Sequence, residues 1–281
     1  MTTILSKARS LRRLISPDAE YAIRRALNTV IPVRARSENG NVYHVCVWKT
    51  ASQWVRLVLS DPRIYRYSGL SVCLPNPLLR PDPRTVRLPE RTIVAALVRD
   101  YPFFAALPKP ERHFAFFVKR DPRDLIVSFY FSNRYSHPLD PVIARERATL
   151  ARMSESEGLE YTIDQFGQFV AILRSWEEAA RHDPRVVVVR YEDLTGIRQL
   201  DAWQALLDAA DIRMPRQVLA EVLATYSFAK ITGGRNPGTE AVAHKYRKGI
   251  AGDWKNHLTA AMLAAFHARY GSLCADLGYD D

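Results

Sequence analysis

Four short apolar runs, whose residues do not alternate with polar ones, limit the possible folds of this chain more than any other feature. They are Val42–Val47, Ile93–Val98, Phe114–Val118 and Val186–Val189. A strand with one face in water shows alternation, so continuous runs predict strands covered on both faces, as in a parallel sheet. Helical patterns separate the runs, and this order favours a parallel sheet with right-handed crossovers.

The helical patterns predict the layers that cover such a sheet. They span Ser52–Leu59, Pro122–Asn133, Pro141–Ser154, Thr162–Ala180, Leu200–Ala210, Arg216–Thr225 and Ala260–Leu277. We therefore predict a three-layer α/β fold with a central parallel sheet flanked by helices. A chain of 281 residues can bury one substantial core, which predicts a single domain with its core at 42–277 and an N-terminal helical extension at 1–40. Residues 74–90, rich in proline, and 231–244 are predicted to be irregular.

The net charge of +10 favours a polyanionic partner, such as a nucleotide, a nucleic acid or an anionic membrane surface. There is no run of about 18 apolar residues, so no membrane span is predicted. The basic N-terminus predicts no secretory signal but a short amphipathic helix packed on the domain, with lipid attachment as the alternative. Its apolar residues are Ile4, Leu5, Leu11, Leu14 and Ile15. The 3 scattered cysteines predict a reducing, cytoplasmic setting rather than a disulfide framework or a zinc site.

Basic residues follow the predicted strands, where an open parallel sheet binds its ligands. Lys49 lies between the first run and the helix at Ser52, at a turn where backbone N–H groups favour an anion; a surface lysine at a helix start is the alternative. The turn is P-loop-like but lacks the G-x-x-x-x-G-K-[ST] spacing, which argues against a triphosphate cradle. Arg120 precedes a helix capped by Asp121, with Asp124 completing a capping-box-like arrangement. Anion binding and a structural salt bridge are equal readings of Arg120.

Two further segments complete the set of candidate ligand-binding segments. The acidic pair Glu192 and Asp193 follows the fourth run, as in a magnesium-holding Walker B; capping of the next turn or pairing with an arginine is the alternative. Residues 246–259, Y-R-K-G-I-A-G-D-W-K-N-H-L-T, place Arg and Lys among glycines. Glycines let the backbone approach a ligand, and clustered cations bind phosphate oxygens, so we interpret this segment as an anion clamp.

Taken in order, these segments resemble those of the cytosolic-type sulfotransferases that use 3′-phosphoadenosine 5′-phosphosulfate (PAPS). The P-K-S-G-T-T-W run of that family is W-K-T-A-S-Q-W here, and R-x-P-x-D-x-x-V-S corresponds to 120–128. The Y-E-D strand end is found at 191–193. The family's R-K-G-x-x-G-D-W-K-N-x-F-T matches 247–259, with Leu258 in place of phenylalanine.

The resemblance implies a P-loop-like nucleotide-binding core and in-line sulfuryl transfer from PAPS to a hydroxyl or amine of a small-molecule, lipid or glycan acceptor, without a metal ion. It implies that Lys49 is catalytic and offsets charge on the leaving phosphate. The cofactor-binding residues that it implies are Lys49, Thr50, Ala51, Ser52, Gln53, Trp54, Arg120, Ser128, Tyr191, Phe228, Arg247, Lys248 and Gly249. Among these, the arginine and serine of 120–128 hold the 3′-phosphate. Phe228 and Trp54 enclose the adenine, with Tyr191 near it.

The chain departs from the family at several positions. Trp48 replaces a proline and Ala51 replaces the loop glycine, and these two changes predict a stiffer or differently shaped loop. Gln53 replaces a hydroxyl residue. The histidine base of many relatives falls at Asp100, for which a catalytic base and a helix cap or partner of Arg99 are equal readings. The relatives' dimerisation stretch is altered at 255–264, so that interface is not predicted.

The other histidines are weaker candidates for the base. His44 and His113 are placed at the amino ends of their strands, far from the ligand edge, and are predicted to be structural. His137 is a reserve at the acceptor mouth, and His257 is predicted to orient the clamp.

Three alternatives stay open. A P-loop nucleotide kinase would need magnesium and the missing glycines. A basic nucleic-acid-binding protein would spread its cations along a groove rather than at strand ends. A silent relative would retain the nucleotide without activity. A group of aromatic residues has two interpretations, as an apolar wall that contacts the acceptor or as ordinary core packing. They are Phe103, Phe104, Phe129, Tyr130, Phe131 and Tyr135.

Overall fold

The computed structural model describes residues 17–74 and 82–279. Its centre is a five-stranded sheet in the order β2-β3-β1-β4-β5, with every neighbouring pair parallel. The strands are β1 (Asn41–Cys46), β2 (Ser71–Cys73), β3 (Thr92–Leu97), β4 (His113–Lys119) and β5 (Val186–Arg190). The four predicted strands are confirmed, whereas the three-residue β2 is too short to show a pattern. The predicted helix before residue 16 lies outside the described residues, as do 75–81 of the proline-rich stretch.

The helices occupy both faces of the sheet. In the first half of the chain they are α1 (Pro17–Asn28), α2 (Ser52–Leu59), α3 (Pro62–Ser68), α4 (Tyr101–Ala106), α5 (Pro122–Phe131) and α6 (Pro141–Leu150). In the second half they are α7 (Glu155–Gln165), α8 (Gly167–His182), α9 (Tyr191–Thr195), α10 (Gln199–Ala209), α11 (Arg216–Thr225), α12 (Phe228–Thr232), α13 (Ala260–Tyr270) and α14 (Leu273–Asp276). The α/β fold with a flanked parallel sheet is confirmed.

Four predicted helices end earlier or break. The helix predicted over Thr162–Ala180 is two helices, since α7 ends before Phe166 and α8 begins at Gly167. Gly271, at a φ of 60°, separates α13 from α14. The third, α5, passes into a wider π-helical turn at Ser132–Ser136, and the fourth, α6, ends at Leu150 rather than at Ser154. Apolar spacing continued through each break, so periodicity alone did not show them.

Each face of the sheet has its own core. Along β1, Tyr43 and Val45 belong to one core and Val42 to the other, as side-chain alternation along a strand requires. The first core includes Trp176 of α8, and the second includes Trp203 of α10, both fully buried. All six residues of β1 are buried. This explains the continuous apolar runs.

The register places the ends of three strands at one edge. Cys46 pairs with Val118, and Lys119 pairs with Arg190. The residues that leave β1, β4 and β5 therefore emerge side by side, which is where an open parallel sheet holds a ligand.

The two strand histidines are structural, with one change of position. His44 is the fourth residue of β1 rather than at its amino end, and its ring stacks on Phe116 (centroids 5.1 Å apart). Burial lowers the pKa of His44 to about 3. The other, His113, begins β4, and its Nδ1 lies 2.8 Å from the Pro110 carbonyl.

Candidate active site

The turn after β1 is a strained loop. Lys49 and Ala51 are not glycines, yet they have φ values of 73° and 58°. This left-handed conformation costs an ordinary residue about 1–2 kcal/mol. Between them, buried Thr50 donates from Oγ1 to the carbonyl of Val47 (2.9 Å). Ala51 thus takes the conformation that a glycine adopts freely, and successive N–H groups in such a turn can form a concave anion site.

The side chain of Lys49 is surrounded by positive charge. Burial, and then the charges of Arg120 and Arg247, lower the pKa of its ammonium to about 8. Within the part of the chain that the structure describes, no carboxylate pairs with it. A partly buried cation among cations favours an anionic ligand.

The helix α2 begins directly after this turn, at Ser52, and no acidic residue lies in its first turn. Its backbone N–H groups at Ser52 and Gln53 are therefore not opposed by a local negative charge. Trp54 is buried in the next position, packs edge-on against Trp203 and donates from its indole to the carbonyl of Tyr226 (2.8 Å). This bond ties the lysine turn to the segment that leads into α12.

Arg120 connects three distant segments. Its Nη1 donates to the carbonyl of Lys49 (3.1 Å), and its Nη2 donates to the carbonyl of Ile250 (3.3 Å) and to Asp124 (3.3 Å). The guanidinium lies 4.4 Å from the centre of the Tyr191 ring. Its Nε is buried without a hydrogen-bond partner. The salt bridge of the structural reading is present, and the same group retains an unused donor.

Asp124 has a different role from the one predicted. The helix α5 is capped by Asp121 alone, which accepts from the N–H of Arg123 (2.9 Å). The buried carboxylate of Asp124 instead accepts from the backbone N–H groups of Gly252 (2.7 Å) and Trp254 (3.0 Å). It fixes the path of the clamp at 246–259, a long-range contact that local spacing does not reveal.

The clamp needs glycine at Gly249, where φ is 71°. A Cβ there would lie 2.3 Å from the ring of Phe228. Arg235, which sequence reasoning missed, donates to the carbonyls of Tyr246 (2.6 Å) and Arg247 (2.9 Å). Its guanidinium also lies 5.3 Å from the Phe228 ring centre. The glycine-rich context of Arg235 was the available signal.

The two cations of the clamp share one carboxylate. Lys248 lies 2.6 Å from Asp253, and Arg247 pairs with both Asp253 and Glu240. Burial by itself raises the pKa of Asp253, but its hydrogen bonds hold the pKa far below its usual range. His257, whose Nε2 lies 3.4 Å away, contributes to this effect, and Lys248, Asn256 and Arg247 donate hydrogen bonds. Asp253 is therefore an ionised anchor for the clamp.

The acidic residues after β5 bind other groups of the protein through their carboxylates. Glu192 accepts from the N–H of Asp121 (3.1 Å) and from the hydroxyl of Tyr279 (2.9 Å), and burial raises its pKa. Asp193 pairs with Arg198 (2.8 Å). Asp193 thus follows the alternative to a Walker B, pairing with an arginine, whereas Glu192 binds two groups that are distant in sequence. Within residues 17–74 and 82–279, no cluster of three or more potential metal ligands occurs.

The remaining predicted residues are Asp100, Ser128 and the aromatic residues of the acceptor wall. Asp100 caps α4, since its Oδ1 accepts from the N–H of Phe103 (3.0 Å). Ser128 lies on α5, half-buried, directly before Phe129. Of the proposed acceptor wall, Phe104 and Tyr130 are fully buried in the core. Phe129 and Phe131 are also buried, Phe103 is half-buried, and Tyr135 is exposed.

A cavity of about 600 Å³ lies elsewhere, between α4 and α8. Tyr101, Ser175 and Asp183 line it, and none of the predicted site residues does. The convergent cations at the sheet edge, rather than this cavity, mark the site.

The comparisons with known proteins agree with this geometry. A family model described as a sulfotransferase domain matches residues 116–278, which is more than half of the chain. The chain belongs to the sulfotransferase family. The resemblance seen in its sequence is thereby confirmed.

The curated relatives of this chain are distant. It is 27% identical over 169 residues to mouse sulfotransferase 1 family member D1, covering 55% of this chain and 52% of that one. It is 24% identical over 253 residues to bovine sulfotransferase 1A1, covering 81% of each. The match to mouse sulfotransferase 2B1 covers 55% of that protein. The chain thus spans about half the length of the first relatives that it matches.

Solved structures share the fold of this chain. Mouse sulfotransferase SULT7A1 complexed with PAP superposes with a TM-score of 0.60 at 18% identity, covering 86% of each chain. Retinol dehydratase in a complex with retinol and PAP gives a TM-score of 0.56 at 16% identity, covering 93% of this chain and 88% of that one. In the described part of the chain, no helix is both long and apolar enough to cross a membrane.

Proposed function

We propose that this chain moves the sulfuryl group of PAPS to a hydroxyl or amine of a small-molecule, lipid or glycan acceptor, by in-line transfer. The observation that carries the proposal is the convergence of Lys49, Arg120 and Arg247, from three distant segments, at one edge of the sheet. A bisphosphorylated nucleotide presents two separate anionic groups, which suits cations on separate segments.

The residues present fit such a ligand on three counts. The Lys49 ammonium has no carboxylate partner among the described residues, and the Nε of Arg120 is buried and unused. The turn holds Lys49 and Ala51 in a left-handed conformation, and such strain is typical of functional sites. Together they describe a site prepared for anions.

Lys49 is the residue that we assign to the chemical step. PAPS, when bound, supplies the sulfuryl group and a phosphate leaving group. Lys49 offsets the negative charge that develops on that phosphate, and an ammonium about 4 Å from a full anion gains about 4 kcal/mol at an effective dielectric constant of about 20. Only the part gained in the transition state accelerates the reaction. We assign 3′-phosphate binding to Arg120, Ser128 and the clamp cations.

The adenine site is proposed between Trp54 and Phe228, with Tyr191 beside it. The bond from the Trp54 indole to the Tyr226 carbonyl brings the tryptophan close to the start of α12, where Phe228 lies. Gly249 packs directly on the Phe228 ring and so couples this aromatic wall to the clamp.

An apolar acceptor is favoured by the surface beside Lys49. Trp48 leaves 40% of its surface exposed, and its ring meets Phe169 edge-on (5.7 Å). Phe169 in turn stacks on Phe129 (4.6 Å). An exposed indole supported by two phenyl rings, directly before the proposed catalytic lysine, is suited to an apolar or planar acceptor. For the general base we retain Asp100.

We also propose a cytoplasmic setting. All three cysteines, Cys46, Cys73 and Cys274, are free and buried, as in proteins of reducing compartments.

A thermal-shift titration tests the cofactor class. PAP, ATP and AMP are titrated separately against the protein, and we expect PAP to stabilise it most, by about 2.7 kcal/mol at a hundredfold excess over Kd. Arg120→Met should remove this preference, whereas Arg213→Met, at an exposed arginine paired with Asp211, should retain it. Equal responses to all three nucleotides would contradict the proposal. Transfer from PAPS to any acceptor separates an active enzyme from a silent relative.

A further inference from the structure

His257 lies between two carboxylates. Its Nδ1 is 2.9 Å from Oε1 of Glu155, at the start of α7, and its Nε2 is 3.4 Å from Oδ2 of Asp253. The ring is mostly buried and meets the edge of Phe131 (centroids 5.0 Å apart). Its Nε2 is buried and has no hydrogen bond of good geometry, so Asp253 is the acceptor within reach. An imidazole can donate from both nitrogens only when it is protonated.

Asp253 links this histidine to the phosphate-binding cations. Its Oδ1 accepts hydrogen bonds from Lys248 (2.6 Å) and Asn256 (2.9 Å), and its Oδ2 accepts one from Arg247. The carboxylate is only 2% exposed. A buried carboxylate that loses its partners is strongly destabilised. It therefore competes for the two cations that a bound phosphate would also need.

We infer that His257 is a positioning residue for phosphate binding. It holds Asp253 in place and supplies it with a positive charge when Arg247 and Lys248 turn their donors toward a phosphate. The inference rests on the proposed PAPS site and adds a counter-charge to it. Glu155 keeps the far side of the ring hydrogen-bonded, which fixes its orientation.

The charge on His257 sets a pH dependence for nucleotide binding. The charged groups that face the ring are Glu155 from α7, and Asp253 and Arg247 from the clamp, while α5 presents only Phe131. The nearby carboxylate of Asp253, and secondly that of Glu155, raise the pKa of His257 against burial and the Arg247 charge. The protonated ring is thus present at lower pH. Its support of phosphate binding is lost as the pH rises through its pKa.

Isothermal titration calorimetry with PAP, between about pH 5.5 and about pH 8.5, tests the inference. At the acidic end, His257→Gln should weaken PAP binding about tenfold while kcat stays within about twofold, because the loss is in ground-state binding. The difference from wild type should shrink as the pH rises. Glu155→Gln keeps an acceptor for Nδ1, so it should weaken binding only about twofold to threefold.

His182→Gln is the matched control. His182 pairs with Glu178 (2.8 Å) on the exposed surface of α8, so it tests loss of a histidine–carboxylate pair away from the clamp. We expect unchanged PAP binding for this variant. Two outcomes overturn the inference: wild-type affinity in His257→Gln at every pH, or a weakening that does not depend on pH and follows a lower Tm. Failure of the wild type to bind PAP would instead overturn the proposed function, and the inference with it.

Discussion

The guanidinium of Arg120 donates a hydrogen bond to the backbone carbonyl of Lys49 (3.1 Å), across 71 positions of sequence. The bond uses the lysine backbone and leaves the ammonium available for a ligand. It also lies at a residue with a φ of 73°, so Arg120 stabilises the strained turn while it contributes its own charge to the site. The segments after β1 and β4 are therefore held together at the sheet edge.

Lys49→Ala should abolish most transfer and leave PAP binding measurable. The side chain is assigned to charge that develops on the leaving phosphate, so we expect kcat to fall about 100-fold or more, with a smaller change in the Kd of PAP. Steady-state rates with PAPS and calorimetry with PAP measure the two quantities. Normal turnover of the variant would contradict the assigned role. Lys230→Ala, at an exposed lysine of α12, serves as the control.

PAP binding near pH 8 should take up a proton at Lys49. Burial and two neighbouring arginines hold the pKa of this lysine at about 8 in the free protein. A nearby phosphate favours the charged form and raises that pKa, so the bound state holds more protons just above pH 8. Calorimetry in two buffers of different ionisation enthalpy measures the uptake. Lys49→Met should reduce it by as much as one proton, and equal uptake in both proteins would exclude Lys49 as its source.

Asp100→Asn should separate the two roles of this residue. Asparagine is as good a helix cap as aspartate, so α4 and the free energy of unfolding should change little. If Asp100 is the general base, kcat falls about 100-fold or more because the amide cannot accept the proton. Undiminished activity at every pH would leave Asp100 with capping alone.

Gly249→Ala should disturb the clamp through a specific clash. The added Cβ would lie 2.3 Å from the Phe228 ring, and φ is already 71°. We expect a loss of about 2–4 kcal/mol in the free energy of unfolding, or clearly weaker PAP binding if the loop moves instead. Gly238→Ala is a matched control, because Gly238 has a φ of 93° but no atom within 4 Å of its Cβ position. Equal effects of the two substitutions would show that the backbone conformation, not the Phe228 contact, sets the requirement.

His44 should make the fold sensitive to acid. It is neutral in the native state because burial lowers its pKa to about 3, while the unfolded chain protonates it below about pH 6.5. The unfolded state therefore gains a proton as the pH falls, and stability declines by as much as about 1.4 kcal/mol per pH unit. Urea unfolding at several pH values measures the slope. His44→Phe should reduce it below pH 6.5, and an unchanged slope would assign the acid sensitivity to other groups.

Much of this architecture could be predicted because buried parallel strands leave a strong pattern. The runs at β1, β3, β4 and β5 showed it, and their carboxyl ends correctly located Lys49 and Arg120. The contacts of Asp124 could not be predicted in the same way, since its partners are backbone N–H groups 128 and 130 positions away. A local capping rule fitted Asp124 equally well and was wrong.

The position predicted for His44 within its strand was also wrong. The strand begins at Asn41, one residue before the apolar run, so the run did not show where β1 starts. Arg235 was missed for another reason. It supports the clamp through carbonyl oxygens, and such contacts place no constraint on the residue types opposite.

Asp124 holds the clamp by two main-chain amides and not by the side chains of the loop. At Gly252 and Trp254 the path of the polypeptide is consequently held through backbone groups that every residue except proline carries. Exchanges at loop positions other than Gly249 and Asp253 can therefore change the affinity for the nucleotide while the path of the backbone is kept. For engineering of donor selectivity, the backbone geometry of the clamp and the chemistry of its side chains can therefore be altered separately.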